Sequence, residues 1–509
     1  MVRPLGVLAV VAVMVLAGCS GAFPGTPTTT TASTATTTAS TTTTTAPPTT
    51  TEGPVHPPDP GTDVLGWERG YWYNESLAVD QTDGLNDTEL DAVVARSMGR
   101  VEFIRNLEFE QSVPVRVISR ATYRNRTSRQ FADVTRNASL HQNVKFEALF
   151  FMGESTSAIE AQEQSRSSNV MGYYSPANDS IVIVSENDTA PKMDELTLSQ
   201  ELFHALQEHR FNVSRYPGVT EETHNAYSGI VEGDANYVEH LYRQHCQAGW
   251  DCVTPPRTAG AGGDGGSQTN VGLLALRLQP YSDGPVFVQE RRERFGWRAV
   301  NAVYEAPPES TEQTIHTDLY RSDSPRNVTI EDRSNATWAV PDLGNGSIDY
   351  AQFGEAGMYV MFWYPSYVET RETNTITDVV VPYRHFFGPG DEAGLDRYNY
   401  SYRYSGGWDG DKLLPYVRND SAETNETGYV WASVWDSPEE ASEFREGYRR
   451  LLEYHGAEPV AGHPDTYRID EGPFADAFYV SQDGERVVIV NAPTVAALSG
   501  VREGAGAAA

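Results

Sequence analysis

Lysine is nearly absent from the sequence. Its 509 residues contain only Lys145, Lys192 and Lys412. Cysteine is as scarce, with Cys19, Cys246 and Cys252. Basic charge falls to arginine, and 38 Lys and Arg stand against 70 Asp and Glu, for a formal net charge of -32. Each shortage excludes something. Phosphate binding needs basic patches and none is present, so no nucleic-acid partner is expected. Cys246 and Cys252 have no second pair beside them, which argues against a Cys/His metal site. In an oxidising compartment the expected arrangement is a local Cys246–Cys252 disulfide. An acidic, lysine-poor surface suits solubility in high salt, where screening shortens charge repulsion. A halophilic archaeal source explains the missing lysine better than a generic acidic exoprotein does.

What is present at the start is an address. Arg3 precedes an apolar run from Leu5 to Leu16, shorter than the ~20 residues that span a bilayer, and then Leu16-Ala17-Gly18-Cys19. A charged start, a short apolar core and small residues read as an export signal over 1–18. Cys19 directly after Leu-Ala-Gly resembles a lipobox, which implies lipidation at Cys19; an ordinary signal peptide is the alternative. Residues 19–62 are rich in Thr, Ser and Pro, cannot bury a core, and read as an extended stalk. Asn-x-Ser/Thr acceptors recur at Asn74, Asn86, Asn125, Asn137, Asn178, Asn187, Asn212, Asn327, Asn335, Asn345, Asn399, Asn419 and Asn425. That density predicts a glycosylated exterior. The expected place is the cell surface, on the outer face of the cytoplasmic membrane.

From about Asp63 the chain is long enough for one large or two medium domains. Apolar spacing predicts helices over 88–108, 194–210, 223–247 and 271–304, with a shorter one over 354–363. Strands are expected at 114–118, 181–184 and 429–435, and a Gly-rich loop at 257–270. Ser437-Pro438-Glu439-Glu440 reads as a capping box opening a helix. Asp483-Gly484 lies between two apolar runs as a hairpin signal. The divisions expected are a first domain over 63–325, a polar linker over 326–348, an α+β region over 349–495 and a flexible tail over 496–509.

The chemistry-bearing stretch is Gln200-Glu201-Leu202-Phe203-His204. Leu198, Leu202, Ala205 and Leu206 make one apolar stripe of its helix, and Gln200 and His204 share roughly the opposite face. With histidine at the first position this would be the His-Glu-x-x-His zinc-peptidase signature. There, two imidazoles one turn apart hold Zn²⁺, and the Glu takes a proton from the metal-bound water. The next helix carries Val231-Glu232-Gly233-Asp234-Ala235-Asn236, where Glu232 can face the first helix. His316, His209 and His224 are weaker candidates. His209 points to another face, His224 begins the second helix, and His316 is either a cleft group or a structural one. Tyr173 and Tyr174 read as core or cleft wall. The aromatic run Met361–Tyr364 and the Arg291–Arg294 run read as a buried helix end and a solvated face.

Further strings accompany these: Gly172-Tyr173-Tyr174-Ser175-Pro176, Pro280-Tyr281, Gly296-Trp297, Ser310-Thr311-Glu312-Gln313-Thr314-Ile315-His316, Gly407-Trp408 and Val434-Trp435-Asp436-Ser437. Together with QELFH and Glu232 they resemble a secreted gluzincin-like family, closest to its haloarchaeal surface-lipoprotein branch, over about 63–490. The resemblance implies an α+β fold with a gluzincin-like metallopeptidase domain followed by a smaller α+β region. It also implies Gln200, His204 and Glu232 as the metal set, Glu201 as general base, His316 as a cleft donor, and an extended peptide in the cleft. The departure is Gln200. Zinc prefers Cys, His and carboxylate, so a Gln/His/Glu set is expected to hold Zn²⁺ weakly. The resulting expectation is a lipid-anchored, non-catalytic binding or envelope protein. The alternative is an active zinc peptidase with an unusual ligand set.

Overall fold

The computed structural model describes residues 56–132, 134–254, 270–344, 347–388, 394–419 and 426–508. The export signal, Cys19, most of the stalk, most of the 257–270 loop, Asn345 and Asn425 lie outside them. The chain is a mixed α+β protein with a C-terminal sheet.

Two short strands, β1 (Trp67–Glu68) and β2 (Tyr71–Trp72), pair ahead of α1 (Asp87–Arg105). Asn86 starts α1 through a capping box: its side chain accepts from Thr88 and Glu89 N–H, and Glu89 returns a bond. Next come β3 (Val115–Ser119), α2 (Arg120–Phe131), α3 (Arg136–Glu147) and α4 (Ala158–Asn169). The strands β4 (Gly172–Ser175) and β5 (Ser180–Ser185) lead into α5 (Glu195–Phe211) and α6 (Glu221–Ala248). The three strands form a sheet in the order β3-β5-β4, with β3 parallel and β4 antiparallel to β5. The strand β4 is therefore an edge of this sheet and lies next to α5.

Helix α7 (Val271–Phe295) follows, carrying Pro280 and Pro285 inside it, then α8 (Trp297–Val303) and α9 (Glu312–Ile315). The α6–α7 crossing is tight enough to require glycine. A Cβ on Gly233 would stand 2.5 Å from the Gly284 carbonyl carbon. Gly233 thus serves the α6–α7 contact, while Ala235 faces the Leu198–Leu206 side of α5.

The C-terminal part contains β6 (Trp338–Ala339), α10 (Gly354–Thr373), β7 (Trp408–Arg418), β8 (Thr427–Trp435) and α11 (Pro438–Tyr454). It ends with β9 (Glu458–Pro459), β10 (Thr466–Arg468), β11 (Ala477–Asp483), β12 (Arg486–Ala492) and α12 (Val495–Val501). The strands make one antiparallel sheet in the order β6-β7-β8-β12-β11-β10-β9. Both faces are covered, which explains the unbroken apolar run in β12. Val487 and Ile489 join the core under α10 and α11, and Val490 joins the cluster under α12.

Two expectations at this end need correction. The 326–348 segment is no free linker, because β6 within it pairs with β7. Residues 496–509 are no loose tail over their described length, because Leu498, Val501 and Ala505 bury against the sheet. At α11, Ser437 Oγ accepts Glu440 N–H, as a capping residue should, and meets Glu440 Oε2 rather than leaving that carboxylate to the Ser437 main chain.

The two parts of the chain share one core. Phe150, beyond α3, stacks on His455 and Phe478. At the same seam Glu147 meets Asp476. Burial first, then their mutual repulsion, push Glu147 well above the carboxylate range. Burial raises Asp476 to about 7. The folded pair holds a proton that the unfolded chain releases above pH ~4. Its stabilisation is therefore full in acid and fades as pH climbs through 7. The urea midpoint is expected to fall between pH 5 and pH 8, and to fall less in Asp476→Asn, which keeps a permanent donor for Glu147. An equal fall in both proteins would remove the pair from the account.

Candidate functional site

Asp194 caps α5 by accepting Leu196 N–H. The helix is buried on both faces from Leu198 to Gln207. Its apolar stripe packs against α1 and β5, as shown by the shared cluster of Leu198, Leu202, Val93, Met98 and Ile183. The QELFH polar face turns to α6, and there His204 Nε2 stands 3.4 Å from Glu232 Oε2.

A buried chain of hydrogen bonds orients His204. Its Nδ1 meets Gln207 Oε1 at 2.7 Å. Gln207 Nε2 donates to Val231 O at 2.7 Å and Tyr304 OH at 2.8 Å. Tyr304 OH donates to Asp234 Oδ2 at 2.8 Å, and Arg105 closes the chain by donating to both Asp234 oxygens. With Nδ1 so engaged, Nε2 is the nitrogen left to face Glu232. Such outer partners fix the orientation of an imidazole at metal sites. Local reading of the sequence missed this chain. Gln207 lies at i+3 from His204, a helix-face neighbour, which was the available signal.

Glu201 is held from the other side. Its Oε2 accepts Tyr174 N–H of the edge strand at 2.8 Å. Gly172, two residues earlier, is bare where a Cβ would lie 3.8 Å from Glu201 Cγ. Burial above all, and the nearby Glu232 charge, raise Glu201 to about 7. For His204, burial disfavours the imidazolium, but the Glu232 and Glu201 carboxylates outweigh it and raise His204 to about 9.

Three atoms here stay buried with no hydrogen-bond partner among the described residues: Glu201 Oε1, His204 Nε2 and Glu232 Oε2. Such orphans are costly unless something else meets them. A metal would satisfy the last two. Gln200 is 2 % exposed, and its amide has no recorded partner among the described residues. It stands one turn before His204, but an amide oxygen is a poor zinc donor. The residues therefore fit zinc at two positions and fail it at the third.

The remaining candidates fall elsewhere. His316 Nε2 lies 3.1 Å from Glu355, and His316 lines a different, acidic cavity with Glu312 and Asp436. The role of cleft donor beside His204 is thus not supported by its contacts. His209 pairs with Asp179 at 2.6 Å. Burial holds His224 below its usual value, and so neutral. Tyr174 OH donates to Asp179 at 2.8 Å. Cys246 and Cys252 form a disulfide with a Cα–Cα distance of 5.7 Å.

Comparison with known proteins adds one match. Residues 339–502 match a family described as a domain of unknown function (DUF8575). That span takes in the large sheet with α10 to α12, and leaves the QELFH helix outside it. No curated protein and no solved structure matches the chain.

Proposed function

We propose that this chain is an exported, lipid-anchored surface protein whose α5–α6 pair is a gluzincin-type cleft with its tight zinc binding lost. The cleft then binds extended polypeptide and does not cut it. The observation that carries this reading is Gln200, buried where the signature requires an imidazole, one turn before a His204 that still faces Glu232. The edge position of β4 supports the binding half, with a segment displacing the Glu201 bond at Tyr174 N–H. An extended segment can add to such an edge through main-chain hydrogen bonds. The export signal and Cys19 support the surface placement.

The test is zinc stoichiometry on the purified exported chain after dialysis against zinc-free buffer. The expected result is far less than one equivalent. Near-equimolar zinc retained through dialysis would sink the proposal. A second reading, an active peptidase, draws on Glu201: an unpaired buried oxygen on a carboxyl near 7 suits a general base. Under the binding reading, unfolded protein substrates are not turned over by the wild type in high salt. Turnover that disappears in Glu201→Gln would favour the peptidase instead.

A further inference from the structure

A second group of carboxylates lies away from QELFH. Glu312 opens α9, Asp323 follows in the turn after it, and Asp436 sits between β8 and α11. One oxygen from each lies within 4.8 Å of the other two. Asp323 and Asp436 have no recorded side-chain partner among the described residues, and neither does Glu312, although Glu312 is only 3 % exposed. A buried carboxylate without a donor is costly, and two more beside it add repulsion. The Arg326 guanidinium is committed elsewhere, to Asp409, Glu485 and Trp435 O. The cavity of about 350 Å³ into which Glu312 and Asp436 face is also lined by Asp318, Glu440 and Glu443, and by His316 and Arg403, which pair with Glu355 and Glu446.

The contrast with the Glu147–Asp476 group is instructive. Those carboxyls bond one another, and Asn491 donates to Asp476 at 2.9 Å. Asn491 meets only part of that pair, since Asp476 Oδ1 is left without a hydrogen-bond partner among the described residues. No amide among the described residues donates to the Glu312 group; burial above all, and then the neighbouring Glu355 and Asp323 charges, raise Glu312 to about 10. Three converging carboxylates with no nitrogen or sulfur donor suit a hard cation rather than zinc. Oxygens on one Ca²⁺, each at roughly 2.3–2.6 Å, stand at most about 5 Å apart, and the three here lie within 4.8 Å of one another.

We propose that Glu312, Asp323 and Asp436 form a calcium site that ties α9 and its turn to the C-terminal sheet. Glu312 and Asp323 precede the 339–502 family span, and Asp436 lies within it. The ion would join the two parts where these three carboxylates converge.

The experiment uses the full exported chain at fixed salt, in chelator and in calcium. Wild type is expected to show calcium binding by calorimetry. Its Tm should rise by about 5 °C at a hundredfold excess over Kd. Asp436→Asn should lose that rise and, in chelator, melt at or above the wild-type temperature because repulsion is relieved. Asp323→Asn, on the partly exposed turn, repeats the test should Asp436→Asn fail to fold. No calcium heat in the wild type overturns the proposal. So does a Tm rise of equal size in wild type and in the folded variant, which would mark diffuse binding to the acidic surface.

Discussion

Gln200→His is expected to raise the zinc affinity of the exported chain on the order of 100-fold or more. His204 and Glu232 already face each other. His204 is aimed by the Gln207–Tyr304–Asp234–Arg105 chain. Glu232 stands 3.4 Å from its Nε2. Gln200 and His204 are one turn apart on the α5 face that turns to α6. The amide already occupies a buried position without a bond to lose, so the imidazole replaces a group that contributes little. Competition against a chromophoric zinc chelator reads the change directly. The helix should tolerate the substitution, and circular dichroism checks this. A folded Gln200→His chain with unchanged zinc affinity would mean that the α5–α6 geometry is not of metal-site type, and the gluzincin reading would go with it. Hydrolysis in Gln200→His that Glu201→Gln removes would show that only the ligand was missing.

The sequence made part of this arrangement legible, and the division has physical causes. The helices carrying QELFH and Glu232 were readable because apolar spacing and capping residues are local signals. The relation of Gln200 to His204 follows from helix geometry alone. What positions His204 was not readable, because Arg105, Asp234 and Tyr304 come from three separate helical regions and local pattern does not record which buried polar groups meet. Helices α2 to α4 were missed for a different reason. A segment such as Arg120-Ala121-Thr122-Tyr123-Arg124-Asn125-Arg126 offers almost no apolar stripe, although Ser119, Thr135 and Ser157 all cap as expected. Strand β7 was hidden by Pro415 and Gly410, which read as strand breakers. The sheet accepts Pro415 because β6 reaches only Val417 and Arg418 on that side. The acidic cluster at Glu312 escaped notice because its third member, Asp436, is far away in sequence.

Glu195→Gln is expected to cost roughly 3–5 kcal/mol of folding stability, the usual range for breaking a fully buried ion pair. Glu195 is the first residue of α5 and is 0 % exposed. Its carboxylate accepts from Arg96 Nη2 at 2.9 Å, Arg100 Nη1 at 2.7 Å and Tyr242 OH at 2.5 Å. It also accepts Val253 N–H at 2.6 Å and Ser97 Oγ at 3.2 Å. The Cys246–Cys252 disulfide delivers part of this cage. The loop it closes brings Asp251 O to Arg100 at 3.2 Å and sets Trp250 under the same guanidinium at 4.7 Å. Glutamine replaces one acceptor oxygen with a donor that must face arginine, and two buried guanidinium groups lose their counter-charge. The fall should appear as a lower urea midpoint with an unchanged slope. Glu89→Gln, at the exposed capping box of α1, serves as the control and should cost well under ~1 kcal/mol. Because Glu195 begins the helix that carries Gln200, Glu201 and His204, the cage also fixes where these three side chains stand. Gln200→His combined with Glu195→Gln should therefore lose part of its zinc affinity even where it remains folded. Full affinity in the folded double variant would show that the cage stabilises the fold without placing the site.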